Sequence, residues 1–241
     1  MRDYARETEN RVAFIKQLLT RAGARGIIYG NSGGKDSALV GILCKKACGD
    51  TVGLQMPISA RNFDQDMRDG RELADKFGIE TRAVPLSDVR DTFIAAISPV
   101  TSVSDMATAN MSARLRMITL YAVAASENRL VAGTGNRSEA YMGYFTKWGD
   151  GAHDFNPIAD LTVTEIYEFL RYLGATEAIL TKAPSAALFD GQTDEDEMGI
   201  TYARIDDYLL NGNATLEDRE KIEAYHARSE HKRNEIITYG G

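Results

Sequence analysis

Ile27-Ile28-Tyr29-Gly30-Asn31-Ser32-Gly33-Gly34-Lys35-Asp36-Ser37-Ala38-Leu39-Val40-Gly41-Ile42-Leu43 is the stretch that decides the fold. Ile27-Ile28-Tyr29 reads as a strand, Gly30 to Gly34 as a turn, and the apolar run from Ala38 onward, longer than a strand, as a buried helix. In a strand–loop–helix unit the loop N–H groups and the positive end of the helix dipole converge on one point. Gly30, Asn31, Ser32, Gly33, Gly34, Lys35, Asp36 and Ser37 are therefore expected to cradle phosphate. The loop is not of the Walker A kind, because Asp36 follows Gly34-Lys35 where Ser or Thr is needed, and position 29 is Tyr rather than Gly. A plain turn would need glycines but has little use for Ser32, Asp36 and Ser37 together.

Outward from this unit the pattern repeats. Residues 52–56 read as a second strand ended by Pro57, 67–77 as a helix stopped at Gly78, 81–84 as a third strand, 89–97 and 107–128 as helices, and 129–132 as a fourth strand. Before them, residues 9–22 set Val12, Ile15, Leu18 and Leu19 on one helical face. Alternation of this kind predicts an α/β fold, a doubly wound parallel sheet whose ligand crevice follows Tyr29, Met56 and Ala132 at the carboxyl ends of the strands. The remainder reads as a helical C-terminal portion, with helices near 163–173, 202–210 and 216–231. No repeat or linker divides the chain, so residues 1–241 are expected to form one domain. Residues 182–198, long and rich in turn formers, are a candidate lid, with 101–107 a weaker one.

Composition narrows the function classes. The 241 residues carry 28 Lys+Arg against 35 Asp+Glu, a formal charge of −7, which argues against general attraction to nucleic acid. The two cysteines, Cys44 and Cys48, lie one turn apart in the apolar helix and read as core thiols, which excludes zinc ribbons and disulfide scaffolds. Residues 1–9 are charged, and no apolar run is long enough to span a bilayer, so no membrane role and a cytoplasmic location are expected.

Ser32-Gly33-Gly34-Lys35-Asp36-Ser37 resembles the Ser-Gly-Gly-x-Asp-Ser signature of the ATP pyrophosphatases, the adenine nucleotide alpha hydrolase-like enzymes that cleave ATP between its α and β phosphates. Further segments narrow the resemblance to ammonia-dependent NAD synthetases. They are Ala113-Arg114-Leu115-Arg116-Met117, Gly133-Thr134-Gly135-Asn136-Arg137-Ser138-Glu139, Gly143-Tyr144-Phe145-Thr146-Lys147-Trp148-Gly149-Asp150-Gly151, Pro184-Ser185-Ala186, Asp194-Glu195-Asp196-Glu197-Met198-Gly199-Ile200 and Glu230-His231-Lys232-Arg233, so that the likeness runs over residues 12–233.

What the resemblance implies is a ligase that amidates deamido-NAD with ammonia, giving NAD, AMP and pyrophosphate through an adenylated intermediate. It also implies a homodimer with substrate near the subunit interface, to which the amphipathic N-terminal helix would contribute. By the same resemblance Asp36 and Glu139 would hold Mg2+, and Ser32, Ser37 and the loop amides would hold pyrophosphate. Thr134 and Ser185 would touch ATP; Arg114, Lys147, Asp154, His231 and Lys232 would touch deamido-NAD; and Asp150 would lie near the reacting carboxyl, where it is the candidate for deprotonating ammonium.

Residue-level reasoning supports parts of this set and leaves others open. Glu139 follows the fourth strand by a glycine-containing turn and would enter the crevice of Asp36, or else simply face the dipole of its own helix. Arg114 and Arg116 are two apart on a helix, so at most one reaches the ligand; the resemblance selects Arg114 and leaves Arg116 structural. The acidic run 194–197 reads as a helix entrance rather than a metal site. Val163 stands where many family members carry an ATP-contacting lysine, and Lys35 or Lys182 is expected to compensate. With no second domain bearing a nucleophilic cysteine, free ammonia rather than glutamine is the expected donor. Three competing readings are weaker: a tRNA-modifying pyrophosphatase, which needs a basic surface or metal-binding cysteines; a nucleotide-binding protein without catalysis, motivated by Val163; and a dehydrogenase, motivated by Gly133-x-Gly135 but lacking the third glycine at Ser138.

Overall fold

Strand β1 (Gly26–Gly30) pairs in parallel with β2 (Thr51–Gln55) on one side and β4 (Arg129–Ala132) on the other, and β3 (Glu80–Ala83) extends the sheet beyond β2, giving the order β3-β2-β1-β4. A computed structural model describes residues 2–58, 63–182, 194–236 and 238–239, with Phe63 described by its backbone alone. Beyond β4 the chain returns alongside it, Phe155 bridging Ala132 in parallel.

Alternation along the central strand sets the layers. Ile27 and Tyr29 point to one face, where they meet α1 (Tyr4–Ala22), α2 (Lys35–Ala47), α3 (Phe63–Phe77) and α7 (Val163–Leu173). Ile28 points to the other, with Val52, Leu54 and Val131, under α5 (Asp105–Glu127), which packs beside α4 (Ser87–Ile97). Helices on both faces of a parallel sheet make the fold doubly wound, as its sequence pattern predicts. The buried Ile27, Ile28, Val52 and Leu54 each contribute roughly 1.5–3 kcal/mol by leaving water.

Two glycines are dictated by close approach. Gly33 has φ +73°, and a Cβ there would also run into the backbone of Asp66 at the start of α3. Gly41 on α2 lies under the Tyr29 ring, which takes the space its side chain would need. The Tyr at position 29 is thus a packing residue, with the phosphate loop beginning only after it.

A separate apolar cluster organises the C-terminal helices. Met142 at the end of α6 (Arg137–Met142) packs with Val163, Met198, Ile200, Tyr202, Ile205 and Ile222, drawn from α7, α9 (Asp194–Met198), the link that follows it, α10 (Tyr202–Asn211) and α11 (Leu216–Arg228). The short helices α6 and α8 (Glu177–Thr181) are too brief to leave a periodic apolar stripe. Residues 216–231, read from sequence as one helix, end as α-helix at Arg228; a 3-10 turn, Glu230–Lys232, follows. Cys44 is buried in α2, whereas Cys48 caps it and is partly buried; both are free thiols.

Candidate active site

The carboxyl edge of β1 runs straight into residues 30–37. Asn31 fixes the loop: its N–H donates to Leu54 O (2.9 Å), its Nδ2 to Gly70 O (3.1 Å), and its Oδ1 accepts from Gly33 N–H (3.3 Å). Ser32 Oγ lies 3.1 Å from Ser37 Oγ and accepts from Gly34 N–H at 3.3 Å. Helices α1, α5, α6, α7, α10 and α11 all begin with an Asp, Ser, Asn or Thr side chain bonded to an N–H of the first turn; α2, which begins at Gly34, has no such cap, and neither do α4 and α8. The first-turn N–H groups of α2 therefore remain available to an anion.

Asp36 and Glu139 face the same crevice. Lys35, only 7% exposed, places its ammonium 2.8 Å from Asp36 Oδ2 and 3.8 Å from Glu139 Oε1. Asn136 ties the two segments together, donating Nδ2 to Asp36 Oδ1 (3.1 Å) while its Oδ1 accepts from Glu139 N–H (2.9 Å). In return, Asn136 N–H donates to Glu139 Oε2 (3.2 Å), completing a capping box. Both readings of Glu139 thus hold: it caps α6 and it faces Asp36. Burial, reinforced by the charge of Asp36 and opposed by Lys35, pushes its carboxyl up to about 8. Burial alone would lower Lys35, but Asp36 and Glu139 outweigh it and hold the ammonium charged. The Tyr202 ring lies 5.6 Å from Lys35 Nζ, and its hydroxyl donates to Asp194 (3.1 Å).

Thr134 lies partly buried just past β4 at the same edge. Lys182 donates to Gly33 O (3.2 Å) and to Asp69 (2.9 Å) and also pairs with Asp66, so its charge is already matched by carboxylates. Val163 is buried in the C-terminal apolar cluster, its N–H donating to Ser138 Oγ (3.3 Å). Ser185, the Pro184-Ser185-Ala186 segment and most of the candidate lid lie outside the described residues. The weaker candidate, 101–107, leads into α5, which Ser104 caps.

A second group of side chains surrounds residues 143–151. Lys147 Nζ donates to His231 O (2.6 Å), Lys232 Nζ to Gly143 O (2.8 Å) and Phe145 O (2.7 Å), and exposed Arg114 to Lys147 O (3.2 Å). Asp150 accepts from Thr146 N–H (2.9 Å). Trp148, 55% exposed, has φ +61°, and Lys147 Nζ lies 5.5 Å from its ring. Arg114, Lys147, Asp150, His231 and Lys232 therefore converge. Asp154 stands apart: its carboxylate accepts from Val131 N–H on β4 (2.8 Å) and from Tyr121 Oη (3.2 Å), so it closes the sheet edge. Asn136 and Tyr202 were not singled out from sequence; the Asn136-x-x-Glu139 capping pattern could have revealed the first.

A glycine-rich loop after the central strand, an uncapped helix and two carboxylates across one crevice define a nucleotide-binding α/β enzyme. A family profile described as NAD synthase matches residues 7–237, and the chain belongs to that family. A relative from Carboxydothermus hydrogenoformans, described as an NH(3)-dependent NAD(+) synthetase, is 43% identical over 234 residues, covering 96% of each chain. The structure described as NMN synthetase from Francisella tularensis superposes with a TM-score of 0.95 at 38% identity, over 100% of both chains. The NH3-dependent NAD synthetase from Campylobacter jejuni gives 0.82 at 29% identity, over 99% of this chain and 100% of that one.

Proposed function

We propose that this chain is a ligase that amidates deamido-NAD with ammonia, consuming ATP and releasing AMP and pyrophosphate. The observation that carries the reading is the shared crevice of the uncapped phosphate loop, Asp36 and Glu139, in a chain that matches ammonia-dependent NAD synthetases over nearly its full length. A carboxylate cannot expel oxide. Attack of the nicotinate carboxylate on the ATP α-phosphorus, with pyrophosphate departing, makes AMP the later leaving group, and ammonia then displaces it. In this scheme the loop N–H groups, Ser32 and Ser37 hold the departing pyrophosphate, with Thr134 and Ser185 on ATP. Arg114, Lys147, Asp154, His231 and Lys232 orient the acid, Asp154 also bracing the strand beside them. Asp150 is our candidate for taking the ammonium proton, and full amidation by Asp150→Asn would remove it from that role.

Asp36 and Glu139 are the residues that would hold Mg2+. The fit rests on their oxygens already flanking a cation, the Lys35 ammonium; a magnesium ion takes one or two carboxylates and completes its shell with substrate phosphates and water. When bound it supplies charge screening at the phosphates.

A second reading keeps this chemistry and changes the acid. The neighbour that superposes over all of both chains is described as an NMN synthetase, which favours the mononucleotide of nicotinic acid as the amide acceptor. Product analysis with ATP, Mg2+, ammonium or glutamine, and either acid tests both. Equal yields of AMP and amide with deamido-NAD support the first reading; preference for the mononucleotide supports the second, and ADP formation contradicts both.

For the dimer expected of the family, the surface we propose is that of α4, which has no buried residue, and α5, where only Ser112 and Ala124 are buried; Val89, Phe93, Met106 and Ile118 are exposed there. On α1, Tyr4 and Ile15 pack inward and Phe14 remains exposed. A cytoplasmic location accords with ATP supply and two free thiols. No described helix is long and apolar enough to cross a membrane.

A further inference from the structure

Helix α5 crosses the mouth of the crevice from one cluster to the other. At one end a Cβ on Gly149 would lie 3.0 Å from Ala113; two turns on, a Cβ on Gly30, at the start of the phosphate loop, would lie 3.9 Å from Leu120 Cδ1. Arg116 sits between these contacts. Its Nε donates to the carbonyl of Met56, immediately past β2 (3.2 Å), which anchors the guanidinium at the carboxyl edge of the sheet. Among the described residues this is its hydrogen bond as donor, and no carboxylate pairs with it within 4.0 Å. Partial burial pulls the group below the ordinary arginine range, and Asp150 is the acidic group whose charge opposes that. Even so lowered, a guanidinium stays protonated. The result is a fixed cation, desolvated, anchored by one nitrogen, with its terminal nitrogens uncommitted to any carboxylate. Arg114, two residues earlier and about 200° round the helix, is exposed and lies against Lys147 O instead.

We propose that Arg116, rather than Arg114, reads the carboxylate of the acid substrate, its two terminal nitrogens gripping the two oxygens that the amide product no longer offers. The assignment rests on the amidation reading above. A guanidinium presents paired N–H donors that match a carboxylate and match an amide poorly, since one amide group is itself a donor. The position between Met56, Asp150 and the loop beginning at Gly30 lies where that carboxylate must approach the α-phosphorus. Arg116 would then favour substrate over product as well as hold the substrate.

Titration calorimetry on the full chain, wild type beside Arg116→Gln, Arg116→Lys and Arg114→Gln, tests this with deamido-NAD, NAD and Mg-ATP as separate probes. Arg116→Gln is expected to weaken deamido-NAD by roughly 10- to 100-fold, the worth of a hydrogen bond to a charged group. NAD and ATP should change less than about threefold, Arg116→Lys should recover part of the loss, and Arg114→Gln should weaken acid and amide alike. Equal weakening of acid and amide by Arg116→Gln would make the residue structural and overturn the assignment; so would loss confined to ATP, which would give the guanidinium to the α-phosphate, and so would no change. Misfolding lowers every affinity together and is visible in the melting curve, in which case Arg116→Lys, read by its acid-to-amide ratio, decides. Wild-type product analysis separates the two ideas: an enzyme that makes AMP and amide without an Arg116 effect loses only this assignment.

Discussion

The two shoulders of the crevice treat their cations differently. On the phosphate shoulder Lys35 meets Asp36 and Glu139, and Lys182 meets Asp66 and Asp69, so the charges are largely cancelled within the protein. On the opposite shoulder Arg114, Arg116, Lys147 and Lys232 each donate to backbone carbonyls, and among the described residues none pairs with a carboxylate. A carbonyl satisfies a donor without removing its charge. Among the described residues, this shoulder of an acidic chain thereby keeps cations unpaired with carboxylates, where the proposed anionic acid would bind, while the phosphate loop relies on N–H groups and on a cation shared between two carboxylates.

If that contrast is right, damage to the shoulders should separate cleanly. Asp36→Asn should produce the largest effect, a fall in kcat of roughly 100- to 1,000-fold with little change in affinity for the acid, read by steady-state kinetics and pyrophosphate exchange. Lys147→Met should come next: a rise in KM for the acid of roughly 10- to 100-fold, steeper at low salt, with the KM for ATP held. A matching loss of ATP affinity would merge the two shoulders. Smaller again, Lys35→Ala is expected to weaken ATP by about tenfold and Lys182→Ala by under about threefold, because Asp66 and Asp69 already offset the latter. If neither variant weakens ATP, no lysine compensates for Val163.

The smallest effect concerns pH. The Glu139 carboxyl titrates higher in the folded chain than its ordinary 4.5, near 8. A raised folded value means that its contribution to stability is complete below the ordinary value and is lost as pH rises through the folded one. Without divalent metal, the melting temperature should fall between pH 5 and 8, and Glu139→Gln should flatten that slope.

How far the chain could be read in advance follows the same division. The strand–loop–helix unit at 27–43 and the four-strand alternation were legible because short apolar runs, glycine breaks and helical stripes are local signals, and the carboxyl-edge rule then located the crevice. Asp36 and Glu139 are 103 positions apart, yet the carboxyl-edge rule already brought Glu139 toward the crevice of Asp36; the Asn136 side chain that bonds both was the part no spacing could announce. Arg114 and Arg116 could be recognised as facing opposite ways, but which of them turned inward depended on the packing of α5 against Gly149 and Gly30. Asp154 enters as a substrate contact only through the family resemblance, since its loop alone reads as a solvated turn; its bonds to Val131 N–H and Tyr121, which come from a strand and a helix distant along the chain, were not visible in the sequence.

Isotope transfer tests the central claim most directly. Acid substrate carrying oxygen-18 in its carboxylate is incubated with the enzyme, ATP, Mg2+ and ammonium, and the AMP is weighed by mass spectrometry. Attack of that carboxylate on the α-phosphorus predicts one heavy oxygen in each AMP formed, with one amide produced alongside it. Unlabelled AMP, or label recovered in phosphate beside ADP, would contradict the account.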